Sequence, residues 1–307
     1  MNKILIVKPS SLGDVIHALR VARQIKLAFP RTEIHWIIRN GLEGILDSVQ
    51  WVDRYFIFER GAGLLSYLKL ILKIRKFEYD YCLDLQGLFR SSWIAKMSKS
   101  RIKLGRADGR ELSTLFYKSV GCASRKSEMH AIDRLTPFLH ELGMNKYDRN
   151  LPLEFKNLSS NIIIPTDSII LFPESRRKEK VWPYFNELAV WLKKEFSKSV
   201  LIAGNQKDGR FPNCIDYRGE INLSQLPYIV SQSSIVVCND SAPLHIASAV
   251  GTKTVALFGP TEPLRYGPFP VEAGKDYTLS SKSKKIADIH VDEVKVVLRK
   301  AITKGQN

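Results

Sequence analysis

The chain has 307 residues, of which 44% are hydrophobic and 25% charged. Single cores rarely grow beyond ~250 residues, so two α/β domains are expected and a largely disordered chain is excluded. Lysine and arginine outnumber aspartate and glutamate 47 to 31, and the resulting net charge of +16 favours a polyanionic partner: nucleic acid, an anionic membrane face or a phosphorylated substrate.

In chain order, short β-branched runs alternate with longer amphipathic stretches, the pattern of parallel sheets covered by helices. In the first half, Ile4 to Val7, Ile34 to Ile38, Tyr55 to Phe58 and Tyr81 to Leu83 are predicted strands. Ile16 to Phe29, Gly63 to Lys76 and Leu88 to Met97 are the helices between them, Pro30 closing the first. Lys96 to Lys126, dense in Lys, Arg and Ser, breaks the alternation and reads as a solvated loop.

A polar stretch from Asn145 to Asp167, punctuated by Pro152 and Pro165, reads as a linker. It places a boundary near Asn157, with domains over 1–157 and 158–307. Beyond it, Ile169 to Phe172, Val200 to Ala203, Ile235 to Cys238 and Val255 to Phe258 are continuous apolar runs of the buried parallel-strand kind. Helices are predicted over Tyr184 to Phe196, Leu226 to Gln232, Leu244 to Val250 and Val291 to Ile302.

The cysteines Cys82, Cys122, Cys214 and Cys238 show no paired spacing and read as reduced, mostly buried residues. No apolar run approaches the ~20 residues that span a bilayer, and Ile4 to Val7 is too short for a signal peptide, so a cytosolic protein with peripheral membrane contact is expected.

Two turns carry chemistry. The first strand runs into Lys8-Pro9-Ser10-Ser11-Leu12-Gly13-Asp14-Val15-Ile16-His17. In an open parallel sheet this loop faces the ligand crevice. Asp14, in the first helical turn, stays ionised beside the positive helix end and can accept a proton from a sugar hydroxyl. Ser10, Ser11 and Asp14 can equally be capping residues. Neither a GxGxxG nor a Walker pattern is present.

In the second half, Ile235 to Cys238 leads into Asn239-Asp240-Ser241-Ala242-Pro243-Leu244-His245. Pro243 suits the first turn of a helix whose free amides form an anion site at the edge of a buried strand, and a pyrophosphate is the natural guest. His245 can reach a phosphate, or be structural. Gly259 and Thr261, after the next strand, can offer an amide and a hydroxyl.

With Asp84-Leu85-Gln86-Gly87-Leu88-Phe89-Arg90-Ser91 and Lys180-Val181-Trp182-Pro183, these motifs make the chain resemble the lipopolysaccharide heptosyltransferases (glycosyltransferase family 9). The resemblance implies two Rossmann-like domains facing across a cleft, the glycosyltransferase B-type fold. It also implies inverting, metal-independent transfer of heptose from ADP-heptose to a Kdo-lipid A type acceptor on the inner face of the cytoplasmic membrane. The ADP-sugar is a substrate, and no cofactor is expected. Asp14 would be the base. Ser175, Lys180, Asp240, Ser241, Ala242, His245, Gly259 and Thr261 would hold the donor. Ser10, Ser11, Gly13, Gln86, Gly87, Arg90 and Arg106 would line the acceptor side, with Arg101, Lys103 and Arg110 completing a basic group.

Two departures stand out: Ala242 occupies a position where the family usually has glycine, and Phe172 to Lys180 is unusually charged. A transferase of another nucleotide sugar and a nucleotide-sugar epimerase are the nearer alternatives. A nucleic-acid-binding protein lacks the expected motifs.

Overall fold

The computed structural model describes residues 1–124, 129–148, 150–158, 162–207, 209–270 and 276–303. It divides into two units, Met1–Leu153 and Glu154–Asn307, the division falling just before the expected boundary near Asn157.

The first unit contains β1 (Lys3–Val7), α1 (Leu12–Ala28), β2 (Glu33–Arg39), α2 (Gly44–Asp47), β3 (Arg54–Phe58), α3 (Gly63–Ile74), β4 (Tyr79–Asp84), α4 (Phe89–Met97), β5 (Ser100–Arg106), β6 (Lys118–Val120) and α5 (Pro137–Glu141). Its strands form one sheet in the order β3-β2-β1-β4-β5-β6, and every pairing is parallel. Ile4, Leu5, Ile6 and Val7 of β1 are fully buried because the strand is central and covered on both faces.

The second unit contains β7 (Ile169–Phe172), α6 (Phe185–Glu195), β8 (Val200–Ile202), β9 (Ile215–Asp216), α7 (Leu226–Gln232), β10 (Ile235–Asn239), α8 (Ala242–Val250), β11 (Lys253–Phe258), α9 (Pro263–Tyr266), β12 (Asp276–Ser280) and α10 (Val291–Thr303). The sheet order β12-β11-β10-β7-β8-β9 is the same 3-2-1-4-5-6 arrangement counted from β7, the order of a dinucleotide-binding sheet. The terminal helix α10 packs within this unit, Val294, Leu298 and Ala301 joining the core that holds Leu188 and Leu192 of α6.

Strand order decides where chemistry can occur. In such sheets ligands bind outside the carboxyl ends of the strands where the order reverses. Those points lie between β1 and β4 in the first unit and between β7 and β10 in the second.

The expectation of a solvated loop over Lys96 to Lys126 is corrected: β5, a 3₁₀ turn at Ser113–Phe116 and β6 lie within it, and residues 125 and 126 lie outside the described ones. The sequence disguises β5 because Arg101 and Ile102 are exposed while Leu104 and Gly105 are buried. Its identity as a strand comes from pairing with β4, Tyr79 opposite Ser100 and Leu83 opposite Leu104. Gly105 is required there, since a Cβ would fall 2.3 Å from the Tyr117 ring. The polar edge strands β9 and β12 also carried no readable pattern.

The cysteines are free. Cys82 and Cys238 are buried, as expected, whereas Cys122 is exposed; burial pushes the Cys82 thiol up to about 12.

Candidate active-site residues in the two units

In the first unit, the turn after β1 is held from two sides. The Lys8 carbonyl accepts from Trp36 Nε1 at 3.1 Å, and the Ser10 amide donates to Gln86 Oε1 at 3.4 Å, joining this loop to the one after β4. Ser11 is the N-cap of α1. Its amide and hydroxyl both donate to Asp14 Oδ2, at 3.0 and 2.7 Å. Asp14 therefore does cap the helix, but with one oxygen, and among the described residues no hydrogen bond reaches Oδ1. Gly13 is buried in the same turn.

Lys8 is buried immediately after β1. Burial is the largest influence on its ammonium and lowers its pKa; Asp14 opposes this, and Arg106 adds to it. For Asp14, burial acts first and upward. Lys8, the Ser11 donors and His17 outweigh it and hold the carboxyl well below the ordinary carboxylate range.

The fully buried Asp84, at the end of β4, is pushed up to about 6 by burial, against the Gly87 and Gln86 amides, the Ser91 hydroxyl and Lys8. Its Oδ1 accepts from the Gln86 and Gly87 amides at 3.0 and 3.1 Å, and its Oδ2 from Ser91 Oγ at 3.0 Å. Asp84 thus organises the turn that presents Gln86. Gly87 has a φ of +70° and a virtual Cβ 3.3 Å from Arg106 Cβ, so the turn both needs glycine and abuts Arg106.

Arg106 forms a two-pronged pair with Asp108, Nε to Oδ1 at 2.8 Å and Nη2 to Oδ2 at 2.7 Å. Arg134 Nη1 reaches the same Oδ2 at 2.8 Å. One carboxylate thus holds two guanidinium groups, a geometry that keeps them in place at the edge of the sheet.

The remaining basic residues do not join them. Arg101, highly exposed, pairs with Asp80 at the opposite end of the strands, and Lys103 Nζ donates to the Ser100 carbonyl at 2.6 Å. Arg90 and Arg110 are exposed; contacts to Tyr67 and Gly87 come from their backbone. Arg101 and Lys103 thus lie toward the start of β5, away from Arg106, whereas Arg90 and Arg110 stand by the Gly87 turn that abuts Arg106.

In the second unit, Asn239 ends β10 fully buried. Its Oδ1 accepts from the Trp182 amide at 3.0 Å, and its Nδ2 donates to the Pro173 and Glu174 carbonyls at 3.2 and 3.3 Å. This one side chain pins both ends of the loop that carries Ser175 and Lys180. Lys180 Nζ then lies 2.5 Å from Asp240 Oδ2, and Thr261 Oγ1 donates to that same oxygen at 2.5 Å. Three donor-side residues from three separate loops meet on one atom.

Ser241 is the N-cap of α8, with extended backbone. Ala242 opens the helix without entering the left-handed region, so its methyl group is accommodated by the backbone. His245 is half-buried in the first turns of α8. Gly259 is buried, and a Cβ there would fall 2.8 Å from Ile286; backbone approach to Ile286 accounts for that glycine. Ser175 is half-buried in the loop. The exposed Arg177 pairs with Glu179, Nε to Oε1 at 2.8 Å.

Lys8, Asp84, Asn239, Asp108 and Arg134 went unassigned in the sequence. The first three carry a signal, a polar side chain directly at or after the end of a buried strand. Asp108 and Arg134 carry none, since their pairing spans distant parts of the chain. Among the described residues, no group of three or more His, Cys, Asp or Glu is placed to hold a metal ion.

Residues 67–290 match the family described as glycosyltransferase family 9 (heptosyltransferase). Relatives include the lipopolysaccharide core heptosyltransferase OpsX of Haemophilus influenzae, 24% identical over 286 residues, with 87% of this chain and 82% of that protein covered. Lipopolysaccharide heptosyltransferase 1 of Escherichia coli K12 is 24% identical over 287 residues, with 85% and 89% covered. Among solved structures, the E. coli heptosyltransferase WaaC with ADP aligns at a TM-score of 0.81 and 18% identity over 97% of this chain and 99% of that one. With the family match extending over most of the chain, this protein belongs to glycosyltransferase family 9, the heptosyltransferase family.

Proposed function

We propose that this protein transfers heptose from ADP-heptose to an inner-core lipopolysaccharide acceptor of the Kdo-lipid A type, inverting the anomeric configuration without a metal ion. The observation that carries the reading is the complementary equipment of the two switch points. The first holds an ionised carboxylate, Asp14, among buried cations. The second holds Lys180 beside the N-terminus of α8, a pairing suited to phosphate.

In the reaction, the acceptor hydroxyl attacks the anomeric carbon as the bond to the ADP phosphate oxygen breaks. The hydroxyl proton passes to Asp14, and the electron pair leaves on ADP. A carboxylate of depressed pKa is a weak base toward a free alcohol, so proton transfer comes late, when the forming bond has made the hydroxyl acidic. Lys180 and the amides at the start of α8 stabilise charge developing on the leaving phosphate, the part a metal plays in other transferases. Arg106, oriented by Asp108, suits the carboxylates or phosphates of an acidic acceptor.

We place the protein in the cytoplasm, peripheral to the inner face of the membrane. The net charge of +16 supports this, and among the described residues no helix is long and apolar enough to cross a bilayer.

The test is incubation of the purified protein with ADP-heptose and a Kdo-lipid A acceptor, with EDTA present. The expected product carries one added heptose of inverted configuration. Absence of transfer, together with thermal stabilisation by a different nucleotide sugar, overturns the assignment of the donor.

A further inference from the structure

We propose that the outer face of α3, with the adjoining start of α4, is the surface by which this protein docks on an anionic bilayer. The inference rests on the peripheral-membrane reading above and adds the surface that makes the contact.

Helix α3 buries Leu70, Ile71 and Ile74 against its own sheet. It leaves Leu64, Leu65, Leu68 and Leu72 open to solvent, at 72, 75, 47 and 65% exposure. At roughly 100° of turn per residue these four leucines fall within an arc of about 100°, a single stripe beside the buried face. Lys69 and Lys73, also exposed, follow on the stripe's outer margin.

Helix α4 lies alongside. Tyr67 Oη donates to the Arg90 carbonyl at 2.9 Å, and Arg75 Nη1 to the Met97 carbonyl at 2.8 Å, so the helices meet start to start and end to end. On its open side α4 presents Phe89 and Trp93, 44 and 38% exposed. Their rings stack at 6.3 Å, and each meets the Phe116 ring edge-on.

An exposed apolar stripe bordered by lysines and continued by a tryptophan is the composition of a helix lying in a membrane interface. The leucines enter the boundary of the acyl chains, lysine stems reach back to the headgroups, and the aromatic rings sit at headgroup level. The occupant is a lipid leaflet rather than a second copy of the chain. A symmetric dimer would set the same lysine-bordered face against itself in a protein already carrying +16, whereas acidic headgroups complement it. Phe89 opens α4 two residues after Gly87, so the surface adjoins the loop joined to Ser10.

The experiment is sedimentation of the full-length protein with vesicles of phosphatidylethanolamine and phosphatidylglycerol, 3:1, against vesicles of phosphatidylcholine alone. The wild type is expected to bind the anionic vesicles. A Leu65→Ser, Leu68→Ser, Leu72→Ser variant should lose roughly tenfold or more of that binding, with ADP affinity by calorimetry unchanged. A Lys69→Glu, Lys73→Glu variant should lose binding in a salt-sensitive way and supplies the same test should the serine variant misfold. If the wild type binds and both variants bind equally well, this surface is wrong while the membrane reading stands. If the wild type binds neither vesicle, both fall. If light scattering shows a dimer that the serine variant abolishes, a second copy is the occupant and the proposal is overturned.

Discussion

The Lys180 ammonium and the Asp240 carboxylate meet at 2.5 Å with only 13 and 6% of their side chains exposed. The cation proposed for the donor phosphate is thus already paired with a carboxylate, and on that proposal a donor must compete for it. Opposite effects follow from the two partners. Lys180→Ala removes a charge-assisted bond and should weaken ADP binding by roughly 10- to 100-fold, while costing about 1.5–3 kcal/mol of stability. Asp240→Asn leaves Thr261 an acceptor, releases Lys180, and should hold or raise ADP affinity. Calorimetry with ADP on both variants checks this; a matched loss in both would show that the pair acts as one structural unit.

Asp14→Asn should lower kcat by roughly 10²- to 10⁴-fold with ADP affinity unchanged. Lys8→Met tests the origin of the low Asp14 pKa. The buried ammonium is the largest of the influences that lower it, so its removal must raise the Asp14 pKa and carry the acid limb of kcat/KM to higher pH. A pH–rate profile unmoved by Lys8→Met would place the proton acceptor elsewhere.

Asp84 and Asp14 act on stability in opposite senses. The folded pKa of Asp14 is depressed, so its contribution is present above the unfolded value near ~3.9 and is lost as pH falls through the folded value. Asp84 is raised to about 6. The native state therefore holds its proton where the unfolded chain has lost it, and stability falls as pH rises from about 4 to 6. Asp84→Asn keeps an acceptor for the Gln86 and Gly87 amides and lets Ser91 Oγ accept in place of donating. It should melt above the wild type at pH values over 6, the difference closing below pH 4. Thermal melts across pH 4 to 8 measure it.

Asn239→Ala should cost about 1–3 kcal/mol, because the buried Trp182 amide loses its acceptor and two carbonyls lose a donor. Since that side chain pins the loop holding Lys180, the KM for the donor should rise while far-ultraviolet circular dichroism stays native. An unchanged donor KM would mean that the loop is held by Lys180 and Asp240 alone.

Strands buried on both faces were legible in sequence, because a fully covered strand such as Ile4 to Val7 or Ile235 to Cys238 must be a continuous apolar run. Their loops were legible for the same reason: a polar residue placed directly after such a run, as at Lys8 or Asn239, stands at the carboxyl edge of the sheet. Strand β5 was not, since its polar residues satisfy one solvated side and only register with β4 makes it a strand. Nor was the grouping of charges. Side chains close in sequence, such as Arg101 and Arg106, are sent to opposite ends of one strand, while Arg134 is brought to Asp108 from 26 residues further along the chain. Apolar patterning alone was enough for two parallel α/β sheets and for the loops at their carboxyl edges. The tertiary structure decided which charges face one another, and so which carboxylate is held ionised and which cation is already paired, because Coulombic and hydrogen-bond energies depend on distances that linear spacing does not contain.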